Sequence, residues 1–274
     1  MKVSDQSNGR ALMRGAATGW FVVTLVGQLL FLVYITGFYG PPVLRGTLAD
    51  WSKHREVIDG YVAGDPIGNL QFGIHVLMAA ILTFGGVLQL WPALRNRVRG
   101  FHRWNGRVFV AAALVAAIGG LWLVWVRGSR LGVASSSGIT LNAALIMIFV
   151  GFAWQAARRR DFASHRRWAV RAFLAVSGVW FLRVGIMAFG LIATGLLGLP
   201  QSLSMGFFDL WSFGSYLVPL MVYELYWRAE VGSVRSRYAM GGSLAILSLL
   251  MALGIVGASA VMWYPALKAS GLFG

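Results

Sequence analysis

Ala17-Thr18-Gly19-Trp20-Phe21-Val22-Val23-Thr24-Leu25-Val26-Gly27-Gln28-Leu29-Leu30-Phe31-Leu32-Val33-Tyr34-Ile35-Thr36-Gly37-Phe38 decides the fold class. Arg14 precedes this stretch and Arg45 is the next charged residue after it. A helix needs about 20 apolar residues to cross ~30 Å of hydrocarbon, whereas a soluble core helix uses about 10–14. In lipid the backbone must bond to itself, so an uncharged run of this length implies a helix. It is too long for a signal-peptide core and lacks a small-residue cleavage site. The run ends in Gly37-Phe38-Tyr39-Gly40-Pro41-Pro42, which reads as a helix stop. We read 17–38 as a retained first span.

Six further runs follow, at 71–92, 105–126, 139–157, 169–192, 204–226 and 239–262. The expected fold is therefore all-α: a polytopic membrane helical bundle of about seven transmembrane helices, forming a single transmembrane domain over 1–274. Composition agrees. Hydrophobic residues make up 58% and charged residues 12%, against roughly 25% charged in soluble domains. Pro219 is expected to kink the sixth span.

The basic residues give the bundle a direction. Seventeen of the 24 Lys/Arg fall in the N-terminus and the segments 93–107, 158–171 and 228–237. Six lie in the alternate set: Arg45, Lys53, Arg55, Arg127, Arg130 and Lys268. Basic loops stay on the cytoplasmic side. The N-terminus is thus expected in the cytoplasm, and the membrane is expected to be a bacterial inner (cytoplasmic) one. The net charge of +15 follows from this loop bias, so nucleic acid is not an expected partner. Membrane lipids are, because basic loops attract anionic head groups. The chain has no cysteine, which excludes disulfides, thiolate metal sites and a thiol nucleophile.

The outer loop 39–70 carries Asp50, Glu56, Asp59 and Asp65. Thr47 with Asp50 resembles a capping box. Leu48, Trp51 and Ile58 offer an apolar side for a short surface helix, with a solvated loop as the alternative. His54 has no assigned role. Ser135, Ser136 and Ser137 read as a turn before the fourth span. Gly254 and Ala258 permit close packing of the last span.

Ionisable residues inside a bilayer are costly and call for a functional hypothesis. They are His75, Arg183, Asp209 and Glu224. His75 starts a span that runs inward from outside. Arg183 lies about 22 Å past Trp168 at ~1.5 Å per residue, in the outer half. Asp209 opens the sixth span from outside. These three are expected to form one buried polar cluster, joined by Asn142 and Thr140. It would be either an Arg183–Asp209 ion pair or a pocket for a proton, a quinone head group or an anionic cofactor group. Glu224 reads as an interfacial salt bridge with Arg228 or the arginines at 158–160.

On the cytoplasmic side a motif recurs. His102-Arg103-Trp104-Asn105-Gly106-Arg107 enters the third span and His165-Arg166-Arg167-Trp168-Ala169-Val170-Arg171 the fifth. Spans two–three and four–five therefore read as duplicated hairpins. If the third and fifth helices are neighbours, His102 and His165 lie at equal depth and could ligate a b-type haem iron axially. Arg103, Arg107, Arg167 and Arg171 suit propionates or phosphates. The alternative is an interfacial anchor of Trp and Arg.

His75, Gly85-Gly86, the run Arg99-Gly100-Phe101-His102-Arg103-Trp104-Asn105-Gly106-Arg107 and the second His-Arg-Arg-Trp with Arg171 resemble the DUF2306 family over about 70–190. These are bacterial predicted membrane proteins of unknown function, so the resemblance implies a membrane location and no activity. A looser likeness is to cytochrome b561, where paired histidines on four helices hold two haems. His102 and His165 are similar to one such pair. The fourth helix here has no histidine to complete another with His75.

Two functional classes remain open. One is a redox protein with haem b at His102 and His165 and a quinone or proton site near His75, Arg183 and Asp209. The other is a non-catalytic module: an accessory subunit with a second membrane partner, a lipid-binding protein or a transporter. No Gly-x-Ser-x-Gly elbow, His-Glu-x-x-His helix or phosphate loop is present, so hydrolytic chemistry has no carrier.

Overall fold

The computed structural model describes residues 3–53 and 57–271. His54, Arg55 and Glu56, named above, lie outside the described residues. Among the described residues seven helices are long and apolar enough to cross a membrane, and there is no strand. The helices are α1 (Val3–Arg45), α2 (Pro66–Leu90), α3 (Pro92–Arg97), α4 (Arg99–Trp122), α5 (Val133–Arg158), α6 (Phe162–Val176), α7 (Gly178–Gly190), α8 (Ser202–Val231), α9 (Val234–Ala258) and α10 (Tyr264–Ala269). The fifth crossing is divided between α6 and α7. Below, the arginine-rich end of the bundle is the basic face and the other end the opposite face.

Several helices outrun their apolar cores, because the first and last turns can be polar once they leave the lipid. α1 continues through Pro41 and Pro42 to Arg45, so these prolines do not stop it. Pro41 cannot donate to the Gly37 carbonyl, and Ser270 Oγ lies 3.3 Å from that carbonyl while donating its shorter bond, 2.7 Å, to the Leu267 carbonyl. The serines at 135–137 lie in the first turn of α5, with Ser135 and Ser136 buried, rather than in a turn before it.

The fifth crossing breaks at Ser177. Kinks occur at Gly/Ser pairs, and Ser177-Gly178 is such a pair. The break is held by neighbours. Asn142 Nδ2 donates to the Ala175 carbonyl at 3.1 Å, and Gln28 Nε2 donates to Ser177 Oγ at 3.3 Å. Wide π-type turns end two crossings, at Leu123–Arg127 and Leu191–Leu196, and a third, at Ser259–Trp263, leads from α9 into α10.

Small residues bring the helices together. A Cβ on Gly254 would collide with the Val184 backbone of α7, which explains how α9 lies so close to α7. Gly85 and Gly86 do the same for α2. A Cβ on Gly85 would stand 2.9 Å from Asn105 of α4, and one on Gly86 would stand 3.1 Å from Phe109 and Phe173. Asn105 Nδ2 uses this approach to donate to the Gly85 carbonyl at 2.8 Å. The helix pairs α2–α4 and α5–α6 pack closely, and α5 packs on α4.

Candidate functional site

The opposite-face loop is a folded cap. Leu48–Lys53 forms a 3-10 helix, and Thr47 Oγ1 donates to Asp50 Oδ2 at 3.0 Å. Trp51 is buried and donates from Nε1 to the Tyr39 carbonyl at 3.0 Å. Leu48 and Ile58 pack on the same core. The apolar side expected of a short helix is present, and the solvated-loop alternative is not.

Arg127 rivets the cap. Only 6% of its side chain is exposed. Its Nε meets Asp65 Oδ2 at 2.9 Å, Nη1 donates to the Asp59 carbonyl at 2.7 Å, and Nη2 donates to Asn69 Oδ1 at 2.7 Å. Asp65 also caps α2, accepting from the Gly68 N–H at 2.8 Å. Arg130 pairs with Asp59, and its N–H donates to the Val57 carbonyl at 2.9 Å. Sequence reasoning counted Arg127 as a loop charge. The signal was Asp65-Pro66, an N-cap followed by an N1 proline, which marks where a carboxylate stands fixed at a helix start.

Beneath the cap lies a cavity of about 250 Å³. Val57 and Ile58 of the cap line it, and it reaches inward to Leu82, Ala113 and Ile146. α1, α2, α4, α5, α7 and α8 all contribute walls. Most of the lining is aliphatic or aromatic. The polar exceptions that matter are His75, Asn142, Arg183, Ser212 and Ser215.

His75 lies against the Ala116 carbonyl of α4, and its buried Nδ1 has no hydrogen-bond partner among the described residues. Asn142 spends its amide on Ala175, and its buried Oδ1 has no partner either. Arg183 Nη1 donates to the Val179 carbonyl at 3.3 Å, and the guanidinium lies 5.5 Å from the Phe31 ring centroid. Val176, Gly178 and Val179, which flank the helix break, line the same space. Unwound or interrupted helices beside a cavity are a common setting for membrane binding sites, because they free backbone and polar groups that a regular helix would hide.

The expected cluster of His75, Arg183 and Asp209 is thus divided. His75 and Arg183 share the cavity. Asp209 does not line it: Asp209 is exposed at the start of α8 and accepts from Ser135 of α5. Among the described residues no ion pair joins Arg183 to Asp209. Spacing along the chain ordered these residues within their spans, but rotation about each helix axis was not available from it. Thr140 also faces away, accepting from Trp125 Nε1 at 2.8 Å.

On the basic face the repeated motif splits in a similar way. In the second copy, His165 Nδ1 lies 2.9 Å from the Ala153 carbonyl of α5. Arg171 bonds Glu224 of α8 through Nε at 2.7 Å and Nη2 at 2.6 Å, and lies over the Trp168 and Tyr223 rings. Arg167 lies 4.4 Å over Trp227. Glu224 therefore pairs with Arg171, not with Arg228 or the arginines at 158–160, because α8 packs on α6. In the first copy Arg103, Trp104 and Arg107 are exposed. The His102 carbonyl accepts from Gln89 at 2.9 Å. α5 packs on both α4 and α6, whereas α4 and α6 share few contacts, so the helices carrying His102 and His165 are not close neighbours as supposed. Among the described residues no group of three or more His, Asp or Glu is placed to hold a metal ion.

A family model described as "Predicted membrane protein (DUF2306)" matches residues 72–227. No curated protein and no solved structure matches the chain.

Proposed function

The chain belongs to the DUF2306 family of predicted membrane proteins, and from that premise we propose that it is a ligand-binding protein of a bacterial cytoplasmic membrane. Its capped cavity takes the ring-sized head of a lipid-soluble molecule of the quinone or quinol type. One observation carries this reading. An apolar cavity next to a helix break holds two buried polar atoms, His75 Nδ1 and Asn142 Oδ1, that no protein group satisfies among the described residues. Such atoms are uncommon in folded proteins and expensive to leave unmet.

Size and chemistry agree with a ring. An apolar cavity of about 150 Å³ holds benzene, so about 250 Å³ accommodates a substituted ring and little more. Asn142 Oδ1 can only accept, so the ligand supplies an O–H. Arg183 can only donate, so the ligand also supplies an oxygen acceptor. The His75 imidazole serves either need by its tautomer. A quinol or a partly reduced quinone carries both kinds of oxygen on one ring, and its tail can leave between helices.

The test is equilibrium binding of a short-tailed benzoquinol and the matching benzoquinone to purified protein, followed by tryptophan quenching. Wild type binds saturably. Asn142→Leu binds about tenfold more weakly, as the loss of one buried hydrogen bond implies. Ala116→Phe, which fills the cavity wall, abolishes binding while the protein elutes as wild type does. Equal binding by a monodisperse Ala116→Phe protein would sink the proposal.

A second reading is b-type haem at His102 and His165, which would have to bridge two helices, α4 and α6, that are not close neighbours. Its support is the orientation of His165: turning Nδ1 to the Ala153 carbonyl leaves Nε2 as the atom a metal would take. An absorption spectrum of extracted protein decides it, since a colourless preparation excludes haem.

A further inference from the structure

At the end of the bundle away from the cavity, α5 closes in four side chains that the proposed function does not use. Trp154, Gln155, Arg158 and Arg159 line an open groove of about 360 Å³. Trp154 with Arg158, and Gln155 with Arg159, are four residues apart and so lie side by side on the helix surface. Arg167 and Arg171 nearby are committed to Trp227 and Glu224. Arg158 and Arg159 are exposed and make no side-chain hydrogen bond or ion pair among the described residues. The acid nearest in sequence, Asp161, is turned to the Ser164 N–H at 3.0 Å.

The next residue sharpens the picture. Arg160 has a φ of 60°. Its N–H bonds the Ala157 carbonyl, and the Asp161 N–H bonds the Ala156 carbonyl. This is a Schellman stop with arginine where glycine is ordinarily found. A third guanidinium is held at the helix end against the backbone preference of that position.

Below the groove, on the same helix face, Ile148 and Phe152 are exposed. An exposed apolar strip, then an interfacial tryptophan, then two uncommitted guanidinium forks is the order in which a phospholipid presents acyl chain, glycerol and phosphate. We propose that the end of α5 is a binding site for the phosphate of an anionic phospholipid, with Arg158 and Arg159 as the phosphate ligands and Trp154 beside the glycerol. The strip at Ile148 and Phe152 favours a lipid-borne phosphate over a free one.

The test is retention of phosphatidylglycerol against phosphatidylcholine by purified full-length protein, read by native mass spectrometry during detergent washing. Wild type is expected to hold phosphatidylglycerol preferentially. The Arg158→Gln/Arg159→Gln double variant is expected to lose that preference by about tenfold or more. Arg228→Gln/Arg235→Gln, which removes the same charge elsewhere on the basic face, is expected to keep it. Arg158→Lys/Arg159→Lys keeps charge without the fork and should fall between. Equal loss in both glutamine pairs would reduce the effect to overall charge and overturn the site. Displacement of the lipid by millimolar inorganic phosphate would assign the groove to free phosphate and overturn the lipid.

Discussion

The two ends of this bundle use arginine in opposite ways. On the opposite face, Arg127 is buried and bonded to Asp65, Asn69 and the Asp59 carbonyl. Arg130 is paired with Asp59. Together they fold a loop into a lid over a cavity. On the basic face, arginines outnumber acids. Glu224 takes one of them, Trp227 supports another, and Arg158 and Arg159 remain exposed beside an open groove. The difference comes from the supply of carboxylates and from burial. A guanidinium with enough acceptors can be drawn inside and used as a rivet, whereas one without them stays at the surface.

That contrast can be broken by experiment. The largest effect is expected for Asp65→Ala, which leaves Arg127 buried without its carboxylate and removes the cap of α2. Breaking one side of a buried pair costs roughly 3–5 kcal/mol, and because Asp65 is partly exposed the lower end applies. Thermal unfolding in detergent should show the largest drop of the series. If Asp65→Ala melts with the wild type, the rivet is not one.

Arg171→Ala should come next. It loses a half-exposed ion pair and its ring contacts, together about 1–2 kcal/mol. A drop equal to that of Asp65→Ala would erase the difference between the two ends. Gly85→Ala follows at about 1 kcal/mol. The Asn105 side chain must move to admit a methyl, at the low end of what overpacking costs. Size exclusion and melting together separate this local strain from misfolding.

Arg160→Gly runs the other way. Relief of a left-handed arginine should raise stability by up to about 1 kcal/mol, while weakening lipid retention at the neighbouring groove. The smallest effect concerns pH. Hydrogen bonds from Ser164 hold the Asp161 carboxyl below its ordinary value. Its folded-state pKa is lowered, so its contribution is present above the ordinary aspartate range and is lost as pH falls through the lowered value. In Asp161→Asn the acid limb of the stability profile should be flatter by that one group.

How much of this could be read in advance depends on the kind of interaction. The seven crossings were legible from uncharged run length, since lipid leaves the backbone no choice but helix. The positions of His75 and Arg183 within their own spans were legible from residue spacing. Their meeting in one cavity was not, because it depends on how α2 and α7 are rotated. Asp209 faces Ser135 instead. The break at Ser177 left a local trace, a Ser-Gly pair inside an apolar run. Its role did not, because Gln28 and Asn142 come from other helices to hold it.

The sequence by itself determined that this chain is a polytopic helical membrane protein with one strongly basic face. Both properties follow from solvent: hydrocarbon excludes charge and unpaired backbone, and these rules act on local runs of residues. Only the tertiary structure decided which arginines are rivets and which remain uncommitted, and which polar atoms are left facing a cavity. Those outcomes rest on side chains brought together from distant helices, through rotations and close approaches that residue spacing along one helix does not encode.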